Sequence, residues 1–364
     1  MSLSVPSTFG GGTTINGGVL AIAQDDFLGA ISGLEIAGGA LGASGSFTLA
    51  AGRNVRLGAG AGIDVSSGTT LTYNGILSDA PAATGSLIKS GPGTLVVGGT
   101  GTYTGLTSVN AGELIVISSG ALGGGGVSVA GGATFSYKPT TAGALNLGSG
   151  ALTLSSNSTI IAALGGAASQ SVITTSGAAS VSGNINISIF PIVGVPFTPG
   201  LNNLITAASG LNTGAPVYSL QIYNDTSFTV GGLIVSDTAL AVNVSSAVPF
   251  TDLHWKGGYS GGNNVWALSN GSNQSNWATD SGGGTVTGLV AGAATTVHLS
   301  ASGAVNQSAM VLGAPMTVKD LDVSSPATMS LNNDGNTLTL IPASAASGIT
   351  INPAQARSPS QHQS

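Results

Sequence analysis

The sequence has no cysteine and very little charge. Thirteen acidic and seven basic residues make up only 5% of its 364 residues, against roughly 25% in an average soluble protein. Without cysteine, the chain has no disulfide, no thiolate metal ligand and no thiol nucleophile. Seven lysines and arginines are too few to form the basic stripe that neutralises nucleic-acid phosphates. We therefore expect no nucleic-acid partner.

Long apolar runs are also missing, although 42% of the residues are hydrophobic. No stretch of about 18 apolar residues occurs, because Gly, Ser, Thr or Asn interrupts every one of them. We therefore expect no transmembrane segment. Residues 1–6 lack the basic start and apolar core of a signal peptide. The expectation is that an export signal and an anchor lie outside this fragment.

Glycine and short alternating segments are abundant instead. The 59 glycines fall between segments such as residues 70–73 and 185–189, in which apolar side chains alternate with Thr, Ser or Asn. Such alternation indicates half-buried strands, and glycine supplies the positive φ that tight corners need. No segment long enough for an ordinary helix shows a helical period. An all-β chain of this kind is a sandwich, a barrel or a solenoid.

Internal repetition favours the solenoid. Residues 8–20 align without a gap with residues 102–114, at an offset of 94. Self-similarity at a fixed offset is typical of solenoid proteins, in which one coil takes roughly 20 to 25 residues. The offset therefore predicts a repeating unit of about four coils, stacked at the usual strand spacing of about 4.8 Å.

Residues 91–114 resemble the autotransporter-associated β-strand repeat, also called the passenger-associated transport repeat. Two positions depart from the family pattern: Gly101, where the family usually has Asn, and Leu106, where it usually has Gly. The resemblance implies a right-handed parallel β-helix that is exported across the outer membrane. The positions that carry the motif are Gly93, Thr94, Leu95, Tyr103, Thr104, Gly105, Val109, Asn110, Gly112 and Leu114.

The chain is expected to have four segments. Residues 1–165 are the β-helix with passenger repeats, residues 166–250 its terminal coils and cap, and residues 350–364 a disordered or truncated tail. Residues 251–349 form a Trp/Asn-rich β module that resembles the one preceding such repeats in very large surface proteins.

Three tryptophans, Trp255, Trp266 and Trp277, recur at an even spacing of 11 inside this module. They are either exposed rings that stack on glycans or core anchors of a small β unit. The core assignment is favoured.

Candidate catalytic and metal-binding groups are scattered. Asp25 and Asp26 adjoin a predicted corner and are assigned to a turn, as is the single calcium-type fragment at residues 60–64. Stacked coils can bring Glu35 and Asp64 together, which would revive a carboxylate-based enzyme. The histidines, His254, His298 and His362, have no nucleophile or metal partner in the sequence. We predict no enzymatic activity, no cofactor and no metal site.

Three classes of function remain. The prediction is a non-catalytic structural scaffold or adhesin-like β-helix, located extracellularly or on the bacterial outer surface. A self-assembling extracellular fibre subunit would instead use exposed strand edges at the end coils. A carbohydrate-binding or polysaccharide-degrading β-helix is the other alternative. The partners expected are surface glycans or other copies of the chain.

Overall fold

A computed structural model describes residues 1–166, 171–192, 195, 198–299, 301–324, 328–342 and 348–351. Apart from two short 3-10 helices, η1 (Asp25–Leu28) and η2 (Gln307–Ala309), the regular structure in these ranges is all strand. Within them, no helix has the length and hydrophobicity to cross a membrane. The all-β prediction is confirmed. Of the predicted tail, residues 350–364, the structure describes residues 350 and 351, which belong to a strand, and the rest lies outside the described residues.

The chain divides into two compact units. The first comprises Met1–Leu220 and Gly232–Asn243, and the second comprises Gln221–Gly231 and the residues from Val244 onward. The strands up to residue 206 are β1 (Thr13–Ile15), β2 (Val19–Ile22), β3 (Leu34–Ile36), β4 (Ala40–Ala43), β5 (Phe47–Leu49), β6 (Val55–Leu57), β7 (Ala61–Val65), β8 (Thr70–Tyr73), β9 (Ile76–Asp79), β10 (Leu87–Ser90), β11 (Thr94–Val97), β12 (Thr100–Gly101), β13 (Thr107–Val109), β14 (Glu113–Val116), β15 (Val127–Val129), β16 (Thr134–Tyr137), β17 (Leu145–Asn146), β18 (Leu152–Leu154), β19 (Thr159–Leu164), β20 (Ser171–Thr174), β21 (Ala179–Val181), β22 (Asn184–Pro191) and β23 (Gly200–Thr206).

The remaining strands are β24 (Val217–Tyr223), β25 (Phe228–Val230), β26 (Ile234–Val235), β27 (Ala239–Ser246), β28 (Asp252–Trp255), β29 (Leu268–Ser269), β30 (Trp277–Ala278), β31 (Thr296–His298), β32 (Met316–Val318), β33 (Asp320–Val323), β34 (Leu338–Leu340) and β35 (Ile349–Ile351). Strand β20 pairs in parallel with β17 and with β23, so the coils continue past residue 165.

The first unit is a parallel β-solenoid, as the sequence predicted. Its eight-stranded sheet runs β2-β4-β7-β10-β13-β15-β18-β21, its five-stranded sheet runs β1-β3-β6-β9-β12, and a third sheet contains β5-β8-β11-β14-β16-β19-β22 in that order. Neighbouring strands are parallel. Leu87 is the register partner of Thr107, and Leu152 is the partner of Ala179. The number of residues from one partner to the other is the length of one coil. The coil that begins at Leu152 is therefore longer than the coil that begins at Leu87.

A column of apolar side chains fills the solenoid beneath the third sheet. Its members occupy the same register position on successive coils and are at most 1% exposed: Leu71, Leu95, Leu114, Phe135, Ile160 and Ile187. Full burial of one such side chain contributes roughly 1.5–3 kcal/mol. Because each coil contacts mainly its neighbours, stability accumulates coil by coil.

The two repeat copies lie on different sheets. Register partners connect Thr13 through Leu34, Val55 and Leu77 to Gly101, so four coils lead from Thr13 to Gly101. The sequence offset of 94 leads further, to Thr107 in the eight-stranded sheet. The estimate of four coils per repeat therefore needs a correction: the unit is four coils plus one step to the next sheet. The same corner sequence recurs in both copies, although the strand that follows it belongs to a different sheet in each.

Two basic side chains are buried in the first unit. The Arg53 guanidinium binds the Asp25 carboxylate, with Nε 3.0 Å from Oδ1, and also donates to the carbonyls of Leu28, Gly29 and Ala30. This contact fastens the corner after β5 to η1 on the preceding coil. The turn predicted at Asp25 and Asp26 is present as η1, but the Asp25 carboxylate binds the next coil and not the turn itself.

Lys89 occupies an inward position between Ile63 and Val109 in register. Its stem fills the core, and its Nζ donates to the carbonyls of Ser90, Gly91 and Ala111 at 2.8–3.0 Å. Burial lowers the pKa of Lys89 to about 8, although Asp64 and Glu113 act in the opposite direction.

The second unit has antiparallel pairs followed by parallel coils. Strand β29 is antiparallel to the end of β24, β25 to the end of β27, and β30 to β28. On the other side of β28, the strands β31, β33 and β35 follow in parallel, and β32 pairs in parallel with β34. A new set of coils therefore begins within this unit.

Register predicts which deletions the solenoid tolerates. Removing residues 107–126 takes out one whole coil and places Val127 where Thr107 was, against Leu87. We expect this variant to keep a cooperative unfolding transition and a β-type circular dichroism spectrum. Removing residues 107–116 takes out half a coil, so that later strands meet the wrong sheet, and we expect loss of both properties. Equal behaviour of the two deletions would contradict the register.

Candidate functional site

The three tryptophans form the core of the second unit. Each is 0% exposed. The Trp255 and Trp277 rings are 5.4 Å apart and the Trp266 and Trp277 rings 5.2 Å, both edge to face. Trp277 Nε1 donates to the Trp266 carbonyl at 2.8 Å, and Trp255 Nε1 donates to the Val305 carbonyl at 3.1 Å. Such pairs contribute about 0.5–1.5 kcal/mol beyond their burial.

The glycan-stacking hypothesis for Trp255, Trp266 and Trp277 therefore fails. A ring that stacks on a sugar needs an accessible face, and none of these rings has one. Trp255 and Trp277 are cross-strand partners on β28 and β30, which turns both rings inward. The even spacing marks core anchors, the favoured alternative.

Asn276, which is fully buried, fastens the loop after β28 to this core. Its Nδ2 donates to the carbonyls of Gly262 and Val265 at 2.6 and 2.8 Å, and its Oδ1 accepts from the Tyr259 amide at 2.9 Å. The amides of Lys256 and Gly257 donate to its backbone carbonyl. The side chain and the backbone carbonyl of Asn276 together make five hydrogen bonds to the loop.

A cavity of about 390 Å³ opens beside this loop. Ligand pockets in proteins commonly measure about 300–1,000 Å³. Its lining combines an aromatic and an aliphatic residue, Tyr259 and Val286, with residues that carry amide, hydroxyl and ammonium groups. The lining residues are Lys256, Gly257, Gly258, Tyr259, Ser260, Asn273, Gln274, Ser275 and Val286. All of them belong to the second unit.

Lys256 is the basic residue in the lining of this cavity. Among the described residues, Arg53, Lys138 and Lys319 form ion pairs and Lys89 binds carbonyls, whereas Arg56 is the register partner of Glu35 and forms no ion pair there. Lys256 makes no ion pair within that part of the chain. Its ammonium is therefore available to an anionic ligand.

A ladder of histidines and aspartates lies on the outer side of β28, β31 and β33. His254 is opposite His298 and His298 opposite Asp322 in register, and the two imidazole rings stack at 4.6 Å. His298 Nδ1 lies 3.0 Å from Asp322 Oδ2, and its Nε2 lies 3.0 Å from Asp252 Oδ1. A ring that donates to two carboxylates carries both protons.

The two histidines have opposite pKa shifts. Burial alone would lower the pKa of His298, but hydrogen bonds and charges from Asp252 and Asp322 outweigh it and raise the pKa above 6.5. Burial and the neighbouring His298 lower the pKa of His254. Across the described ranges, no group of three or more His, Asp or Glu side chains has the arrangement of a metal site.

The acids of the first unit occupy separate places. Glu35 lies in β3 beside Arg56, whereas Asp64 lies in β7 and accepts from Ser90 Oγ at 3.0 Å. They belong to different sheets, so stacking does not bring this pair together. Asp79 accepts from the amides of Gly85 and Thr104 and from the Thr104 hydroxyl. Although burial opposes them, these bonds lower the pKa of Asp79.

The repeat motif builds strands and corners. Leu95, Val109 and Leu114 point into the core, and the buried Tyr103 hydroxyl lies 2.5 Å from Thr107 Oγ1. Gly112 has a φ of +64°, and a Cβ there would overlap the Gly93 carbonyl oxygen. Gly93, Thr94, Gly105 and Asn110 belong to the same corners and strand starts. These positions are structural.

Sequence reasoning missed the histidine ladder and the cavity. His298 and Asp322 are separated in sequence by one coil, and that spacing was a usable signal. The longer separation between His254 and His298 spans a long intervening loop, and no periodicity reveals it. The cavity at Lys256 and Tyr259 depends on how that loop folds.

Comparisons with known proteins support the repeat assignment. Residues 2–22 and 87–116 match the model of the passenger-associated transport repeat. The adhesin BmaC autotransporter of Brucella suis biovar 1 (strain 1330) is 38% identical over 124 residues, which are 34% of this chain and 3% of that protein. No solved structure matches. The prediction of an autotransporter passenger-type chain with these repeats is confirmed.

The histidine ladder predicts a stability maximum near pH 6.5. Stabilisation by His298 is complete below its ordinary pKa of 6.5 and is lost as the pH rises through the raised value. His254 acts oppositely, because its folded form disfavours the proton, so stability falls as the pH drops below 6.5. All three tryptophans lie in this unit, so thermal melts followed by their fluorescence report on it.

Single substitutions separate the two contributions. We expect His298→Gln to flatten the alkaline side of the pH profile and His254→Gln to flatten the acid side. A wild-type profile in both variants would show that the ladder does not control stability.

Proposed function

We propose that this chain, a passenger-type β-solenoid with passenger-associated transport repeats, is a rigid, non-catalytic segment of an exported, adhesin-like surface protein. The observation that carries the proposal is the unbroken parallel stack of the first unit, with eight strands in register in one of its sheets. Each added coil lengthens such a stack by about 4.8 Å. A stack of this kind holds a binding surface at a distance from the cell.

The outer surface of the stack suits an extracellular spacer. One outward row of the third sheet consists of polar side chains in register: Thr70, Thr94, Glu113, Thr134, Thr159 and Asn186. Only one of the six is charged. Such a surface stays hydrated through hydroxyl and amide groups, and it offers little to the charged partners that bind by electrostatic attraction.

Export also agrees with how this fold is stabilised. Contacts between successive coils let folding propagate from one end, and the absence of cysteine means that no disulfide has to form on the way. The similarity to an adhesin autotransporter supports a surface role. Because the matched stretch is 3% of that relative, the adhesive role of this segment is part of the proposal.

The non-catalytic part of the proposal is supported by the separation of Glu35 and Asp64 and by the engagement of Asp25 with Arg53. Hydrolysis of glycosidic bonds generally needs two convergent carboxyl groups about 5–10 Å apart. Incubation of the purified chain with a panel of polysaccharides should therefore release no new reducing ends. Release that disappears in an acid-to-amide variant would restore the enzyme alternative.

Surface display tests the main proposal. The chain, fused between an export signal and an outer-membrane translocator, should become accessible to antibody on a non-adherent bacterium and should increase its adherence to cultured epithelial cells. The matched controls are the translocator alone and the half-coil deletion of residues 107–116. Absence of surface exposure would contradict export of this segment, and exposure without added adherence would contradict the adhesin-like role.

A further inference from the structure

We infer that the cavity beside Tyr259 binds the carboxylated end of an acidic saccharide, such as a uronic or sialic acid residue. This inference rests on the surface role proposed above and names a ligand for it. The residues that line the cavity include an aromatic residue, two residues with amide side chains and a lysine without an ion pair, on the loop after β28 and the turn after β29. Each of these three groups recognises a different part of such a sugar.

The Tyr259 ring supplies an apolar platform. It is half-buried and packs on Gly261, where an added Cβ would come within 2.7 Å of Cε1, Cζ and the hydroxyl oxygen. The backbone amide of Tyr259 is held by Asn276. A ring fixed in this way loses little conformational entropy when the C–H face of a sugar stacks on it. Val286, 40% exposed, extends the apolar surface.

The side-chain amides supply hydrogen bonds to hydroxyl groups. Gln274 is held through its backbone, since its amide donates to Asn270 Oδ1 and its carbonyl accepts from the Asn270 amide, each at 2.9 Å. In the part of the chain that the structure describes, the Gln274 side-chain amide has no protein partner. Asn273 accepts from Asn270 Nδ2 through Oδ1. An amide offers both donors and an acceptor, which suits adjacent sugar hydroxyls.

Lys256 selects for acidic sugars. Its stem packs against Gly283, where an added Cβ would lie 2.9 Å from Cδ and 3.2 Å from Nζ. Asp280, on the same turn as Gly283, accepts instead from the amides of Gly284 and Thr285. No carboxylate among the described residues pairs with Lys256, so a ligand carboxylate finds an uncompensated ammonium. A charge-assisted hydrogen bond then favours the acid over its ester.

The size of the cavity suits a small ligand. A volume of about 390 Å³ lies near the lower limit for ligand pockets, and it accommodates the terminal sugar that the inference names.

Binding of oligosaccharides to the purified full chain tests the inference. Isothermal titration compares oligosaccharides ending in a uronic or sialic acid with their methyl esters, which keep the shape and remove the charge. We expect the acids to bind about five- to tenfold more tightly than the esters. Lys256→Gln should abolish the preference for acids over esters. Tyr259→Ala should weaken both, and Tyr259→Phe should restore them.

Lys319→Gln is the matched control, because it removes a lysine of the same unit that pairs with Asp320 outside the cavity. Tryptophan fluorescence melts verify that each variant is folded. Equal binding of acids and esters, or wild-type selectivity in Lys256→Gln, would overturn the inference. The titration is done in solution and does not depend on export, so its failure would leave the display experiment as a separate test of the proposed function.

Discussion

Each coil of the first unit must return the chain to the same register, so that every inward side chain lies on the one below it. This constraint is met at the corners, where backbones of successive coils come into contact. The amide of Gly105 donates to the Gly85 carbonyl at 2.8 Å, and an added Cβ at Gly105 would lie 2.5 Å from that oxygen. At Gly125, one coil later, an added Cβ would overlap the Gly105 carbonyl in the same way. Only glycine permits this approach.

Register also explains how polar residues enter the core. A side chain at an inward position has to fill the core. A long side chain can do so with its stem and place its polar head group at a corner, where backbone carbonyl groups are free to accept hydrogen bonds. Lys89 fills its position with methylene groups and delivers its ammonium to three corner carbonyls. Arg53 does the same with one carboxylate added. Removing either head group would leave buried carbonyl oxygens without a donor, which typically costs about 1–3 kcal/mol per group.

The sequence predicted the features that depend on local pattern. Alternation located strands such as β8 and β22, and glycine located the corners, because both signals lie within a few residues. The sheet on which each repeat copy lies was not predictable, since it depends on coil lengths that differ from one coil to the next. The same limit applies to Lys256 and Tyr259. Their cavity forms only when Asn276, which follows later in the chain, fixes the loop that carries them.

In the second unit, a well-packed aromatic core supports a binding surface. Three tryptophan rings bury the inner side of β28 and β30, and this large core holds strands that are only a few residues long. Because the inner side is so well anchored, the outer side of β28 and the residue after it can carry groups that are not part of the apolar core, such as His254 and Lys256. A short strand with an aromatic core beneath it is therefore a suitable support for ligand-binding side chains, whereas the uniform coils of the first unit, filled by Leu and Ile, are suited to length.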